Sequence, residues 1–99
     1  MSQNDGLFER AALAARARNK WTAELCDVLA QISESGWFLG HASFGQYAEK
    51  ELEIGARQAY DLARVGRSFE ELPKIAEAFR SGEVAWSKVR EVTRVASAA

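Results

Sequence analysis

The sequence predicts a small all-α domain, and three observations carry that expectation. Ala, Glu, Leu and Arg, all good helix formers, dominate the chain. Apolar residues recur at spacings of three and four in several separate stretches. Strand signals are weak: no run alternates Val, Ile or Thr with polar residues, and no Asn-Gly or Asp-Gly hairpin turn occurs. The one proline, Pro73, lies between predicted elements and interrupts no helix interior.

Residues 1–6 are polar and expected to fray. Asp5 suits the N-cap of a helix starting near Leu7, with Glu9 in its first turn. This long helix, 7–35, is expected to turn Trp21, Leu25, Val28, Leu29 and Ile32 inward as one stripe and to stop at Gly36. Its first half is Ala-rich (Ala11, Ala12, Ala14, Ala15) and carries Arg10, Arg16, Arg18 and Lys20. The connector 36–42 brings Trp37 and Phe38, which are expected to plug into the core. Ser43 and Gln46 have the spacing of a capping box. They open a helix from about Phe44 to Leu52 that buries Phe44, Tyr47, Ala48 and Leu52. Glu53-Ile54-Gly55 is a turn, and a helix from Ala56 to Ser68 follows with Ala59, Leu62, Ala63 and Gly66 inward. Glu70-Glu71-Leu72-Pro73 begins the next helix, where a first-turn proline and negative charge both suit the dipole. Leu72, Ile75, Ala76 and Phe79 form its stripe, and Gly82 closes it. The last helix runs from about Trp86 to Ala98, with Trp86, Val89, Val92 and Ala96 inward. The chain thus reads as one domain over 1–99: about five helices, with a helix-turn-helix at 43–69 and a helical hairpin at 72–98. It stops in mid-helix, at Arg94-Val-Ala-Ser-Ala-Ala99, and reads as a fragment of a longer protein.

Several function classes lack support. Net charge is -1, which argues mildly against tight non-specific binding to nucleic acid but leaves room for a local basic face. Cys26 is the only cysteine, so no intrachain disulfide is possible and the thiol suits a reducing, cytoplasmic setting. No signal peptide is visible, since polar residues follow Met1, and no apolar run approaches the roughly 18–20 residues that span a bilayer. His41 is the only imidazole and stands apart from Cys26, which leaves no metal-ligand set. Cys26 has no paired base, and no Gly-rich phosphate loop or Ser/His/Asp set is present. The chain by itself reads as non-enzymatic, with no cofactor, no membrane partner and no small-molecule substrate.

The middle of the chain is more specific. A helix-turn-helix needs two short helices joined tightly, with apolar positions at offsets that let them cross steeply around one core. Ala48, Leu52, Ile54, Ala59 and Leu62 supply those offsets. The second helix is then expected to present Arg57, Gln58, Asp61 and Arg64 outward, with Arg67 at its end; Arg and Gln suit base edges and phosphates. Lys88, Arg90 and Arg94 of the last helix are the expected phosphate contacts. The turn position where glycine is usual is Glu53, and Gly55 is the candidate to absorb the bend instead.

The segment FGQYAEKELEIGARQAYDLARVGRSFEELPKIAEAFRSGEVAWSKVREVTRVA resembles the helical N-terminal region of bacterial HNH-endonuclease-type proteins. The resemblance covers about half the chain. It rests on Tyr47, Ala48, Glu49, Leu52, Arg57, Ala59, Tyr60, Leu62, Arg64 and Val65. It continues through Leu72, Pro73 and Gly82, and is most specific in the string Trp86-Ser87-Lys88-Val89-Arg90, followed by Arg94-Val95-Ala96. Three positions depart from the pattern: Glu53 for the turn glycine, Gly55 for a helix-starting serine, and Ala85 for a serine before Trp86. In such proteins a histidine-bearing ββα-metal nuclease motif lies further along the chain, and none of it is present here. The resemblance therefore implies a DNA-associated accessory region without the catalytic module. The alternative is a helical protein-interaction or homodimerisation module: the Ala-rich seam of the first helix would suit a partner helix, and a homodimer would supply one.

Overall fold

The computed structural model describes residues 3–98, with side chains for residues 6–95. Five helices appear in the order α1 (Gln3–Ser35), α2 (Phe44–Glu51), α3 (Ala56–Ser68), α4 (Pro73–Arg80) and α5 (Trp86–Ala98), and no strand occurs among the described residues. The all-α expectation is met. Among the described residues no helix is long and apolar enough to cross a membrane.

The architecture is organised by one close contact. A Cβ built on Gly66 of α3 would lie 2.1 Å from the carbonyl oxygen of Cys26 in α1, so the two backbones touch where Gly66 has no side chain. Small residues on α1 accept this approach. Ala23, Cys26 and Ala30 are buried there, with Asn19 one turn earlier, at helical spacings of three and four. On α3, Ala59, Leu62, Ala63 and Gly66 face inward as expected, and Val65 joins them. The inward face of α1 is therefore not the stripe of large residues. Leu29 is buried and Leu25 and Ile32 are partly so, but Trp21 is 71% exposed and Val28 39%. The physical reason is steric: a helix approaching at backbone contact needs Ala and Cys beneath it, and the bulky residues rotate to the flank.

The first helix also starts earlier than its sequence suggests, at Gln3, so Asp5 lies within it and is not its N-cap. Residues 1–2 lie outside those described. Gly36, with φ +75°, ends the helix as expected. In the connector, Phe38 packs against the core and meets Phe44 edge-on at 6.0 Å, whereas Trp37 stays 65% exposed. His41, half-buried, places Nε2 2.8 Å from the Glu51 carboxylate and ties the connector to the end of α2.

The capping box at α2 forms. The Gln46 N–H donates to the Ser43 hydroxyl at 3.1 Å, and the Gln46 side-chain oxygen reaches back to the Ala42 N–H at 2.8 Å. α2 ends at Glu51 with Leu52 as its C-cap, so Leu52 lies past the helix and stays exposed instead of joining the buried stripe, and Glu53 takes the bend with φ +56°. The Ala48 carbonyl accepts from the N–H groups of both Leu52 and Ile54. Gly55 has an ordinary φ of -58° and does not absorb the turn; it sits at the α3 N-cap without a side chain to offer.

α4 begins at Pro73 with Leu72 as N-cap, so Glu70 and Glu71 lie in the preceding turn and not in the first helical turn. Its C-terminus forms a complete Schellman motif: the Gly82 N–H donates to Phe79 and the Glu83 N–H to Ala78, with Gly82 at φ +86°. Gly82 also rests on α1, where an added Cβ would come 3.0 Å from the Arg16 Cβ. Phe79 is fully buried between Phe69, at 6.3 Å edge-on, and Trp86, stacked at 6.1 Å, and so joins the ends of α3, α4 and α5. In α5, Val89 is buried and Trp86 and Val92 are half-buried. The side chain of Ala96 lies outside those described. Thr93 completes the inward face.

Two glycine positions and one glutamate give checks by thermal or chemical unfolding. Gly66→Ala is expected to lose about 1–3 kcal/mol by overpacking at the α1–α3 contact. Gly55→Ser, whose Cβ would meet nothing within 4 Å and whose hydroxyl can cap the first N–H groups of α3, is expected to gain up to about 1 kcal/mol. Glu53→Gly, relieving a left-handed non-glycine residue, is expected to gain about 1 kcal/mol, or roughly 4–8 °C in Tm for a domain of this size.

Candidate nucleic-acid interface

The eight residues singled out by sequence do not form one surface. α3 is wrapped by α1, α2 and α5, so only part of its outer face meets solvent. Arg57 and Gln58, in its first turn, are exposed. They line a cleft of about 410 Å³ together with Gly55, Asp61, Trp86 and Arg90.

Asp61 and Arg64 are not presented freely outward, because α5 packs beside them. The Arg90 guanidinium donates to the Asp61 carboxylate through Nη2 at 3.0 Å, and Arg64 Nε lies 3.7 Å from the other carboxylate oxygen. Arg64 also donates to the Thr93 hydroxyl at 3.4 Å, and that hydroxyl in turn donates to the Arg90 carbonyl at 3.1 Å. Asp61 thus holds two arginines and joins α3 to α5. The Arg90 Nε is buried and, among the described residues, has no hydrogen-bond partner. Asp61, Arg64 and Arg90 are all partly exposed, which places the energy of these pairs near the modest range of surface ion pairs.

Arg67 points to another region. It lines a cleft between α1, α3 and α4 with Asp27, Glu34, Glu70 and Arg80. Arg80 there donates to both oxygens of Asp27, at 3.0 and 3.2 Å, and its guanidinium carbon stands 5.2 Å from the Phe69 ring centre. Three carboxylates against two guanidiniums leave that cleft net negative, which makes it a poor seat for a phosphate. Lys88 and Arg94 are exposed on α5, and Arg94 lies 3.9 Å from the Glu91 carboxylate.

Sequence reasoning misses two contributors, Trp86 and Thr93, and sees Arg18 only as part of a basic segment on the first helix. Trp86 reads from sequence as a core residue, yet it stands half-buried between the Arg57 cleft and a second cleft bounded by Arg18, Thr22, Leu25 and Gln58. Arg18 reaches this region from α1, a juxtaposition that no linear spacing reveals. Thr93 continues the 86, 89, 93 helical spacing, and that spacing is the available signal for it.

Cys26 is fully buried, and burial, reinforced by the charge of neighbouring Asp27, pushes its thiol up to about 12 from an ordinary 9. An inert thiol follows. Among the described residues no group of His, Cys, Asp and Glu is placed to hold a metal ion. Comparison with protein-family models, with curated proteins and with solved structures returned no match.

Two outcomes check this geometry. Asp61→Ala is expected to cost no more than about 1 kcal/mol in urea unfolding, because Asp61 and both arginines are partly exposed to solvent. The Cys26 thiol is expected to resist disulfide-exchange reagents at pH 8 until the chain unfolds. Its folded pKa is raised, so the neutral thiol stabilises the fold below pH 9, and that contribution falls as pH rises from 9 towards 12.

Proposed function

We propose that this chain is a DNA-binding, helix-turn-helix-like accessory domain of an HNH-endonuclease-type or regulatory protein. The observation that carries the reading is the exposed first turn of α3. Arg57 and Gln58 stand there beside Arg90, and the helix start carries neither a side-chain cap nor an acidic residue. Free backbone N–H groups and the positive end of the helix dipole favour a phosphate at such a place, and two guanidiniums add to it. Gln58 is the residue with the chemistry to read an adenine edge. Lys88 and Arg94 on the adjoining α5 would extend the phosphate contacts along the backbone. The resemblance of residues 44–96, and of the Trp86–Arg90 string in particular, supports the same reading.

Within the proposed set, Arg57, Gln58, Lys88, Arg90 and Arg94 carry the reading, and Arg64 and Asp61 act as their scaffold. Arg67, facing an acidic cleft, is left out of it.

Fluorescence anisotropy on duplex DNA across a salt series tests the proposal. Log affinity is expected to fall linearly with log salt, and Arg57→Ala or Lys88→Ala to reduce that slope by about one each. Asp61→Asn removes a negative charge from between two arginines and is expected to tighten binding, whereas Arg67→Ala leaves it unchanged. Absence of salt-dependent binding to any duplex at micromolar protein would overturn the reading.

A further inference from the structure

The first half of α1 extends beyond the domain it organises. Residues 6–18 are exposed throughout, including Leu7, Phe8 and Leu13 at 57%, 73% and 59%. This surface is patterned. Leu7, Ala11, Ala14, Arg18, Trp21, Leu25, Val28 and Ile32 follow alternating steps of four and three through four heptads, and Arg18 is the one non-apolar member. At about 100° per residue, this seam lies well over a quarter-turn from the Ala23–Cys26–Ala30 face that receives α3. Leu25 and Ile32 also pack against the core on one side and keep part of their surface exposed, so a helix could lie along the seam from Leu7 to Leu25 without displacing the core.

We infer that the seam is the docking site of α1 from a second copy of this chain, running antiparallel. Three features select that occupant. Antiparallel alignment about a point near Arg16 sets Leu7 against Leu25 of the other copy, Ala11 against Trp21, and Ala14 against Arg18. Each bulky side chain from Trp21 or Arg18 then meets an alanine, which is the alternation of large and small that a packed seam needs. The same alignment brings Arg10, flanking the seam, to Glu24 of the other copy, twice by symmetry. A parallel pair would stack Arg18 on Arg18 and leave Arg10 without an acid. The overlap from residue 7 to residue 25 is about 27 Å long, and it covers the exposed Leu7 and Trp21.

Light scattering over a concentration series tests the inference. The expected mass is twice the 10.9 kDa of one chain, falling to one chain on dilution. Trp21→Glu, at a site outside the core, is expected to weaken the dimer at least 30-fold with its helical circular dichroism unchanged. Arg10→Glu and Glu24→Arg are each expected to weaken it, and the double swap to restore it. Arg10 and Glu24 are about 21 Å apart on one helix, so restoration reports a contact between chains. A monomer at all concentrations up to several hundred micromolar would overturn the inference and leave the seam to a different partner. Rapid oxidation of Leu7→Cys to a disulfide dimer would overturn the antiparallel alignment, because that alignment holds the two residues about 27 Å apart. DNA binding plays no part in these readouts, so the dimer can fail while the DNA reading stands, and the reverse.

Discussion

The contact of Gly66 with the Cys26 carbonyl constrains most of the fold. Because α3 meets α1 at backbone distance, the α1 face beneath it must be built from small residues, here Ala23, Cys26 and Ala30. That choice expels Trp21 and Val28 to the flank. It also makes α3 the central helix, with α1 on one side, α2 and α5 on others, and Phe79 sealing the end where α3, α4 and α5 converge. Small side chains give little apolar area per residue. The large contributions come instead from Leu29, Leu62, Phe44, Phe69 and Phe79, each worth roughly 1.5–3 kcal/mol when fully buried.

A central α3 limits what that helix can do. A helix wrapped on three sides cannot lay its whole length into a groove. Its first turn remains available, and Arg57 and Gln58 occupy it. The arginines thereby separate into different roles. Arg64 is committed to Thr93 and Asp61, Arg90 is shared between Asp61 and the cleft, and Arg80 braces α4 against Asp27. With a net charge of -1, any attraction for a polyanion has to come from this local arrangement.

Much of the fold is legible in the chain. The bounds of α3, the Ser43–Gln46 capping box, and the glycine stops at Gly36 and Gly82 follow from local chemistry, and local chemistry is what sequence displays. Trp21 and Trp37 mislead because size is an unreliable sign of burial. Which face of α1 is inward depends on how near α3 comes, a tertiary property. Glu53 carries the turn in the left-handed region because the Ala48 carbonyl, accepting two N–H groups, holds the chain there, while Gly55 is spent on starting α3. The candidate site is legible as a set of residue types and not as a surface. Its division between the Arg57 cleft and the Arg67 cleft depends on where α4 and α5 fold back.

Native-state hydrogen exchange tests the central role of the α1–α3 contact most directly. If that contact organises the domain, the amides of residues 23–30 and 59–65 are the slowest in the molecule and open together, at the free energy of global unfolding. Slowest exchange in α4 and α5, with the two contact segments opening at lower energy, would contradict it.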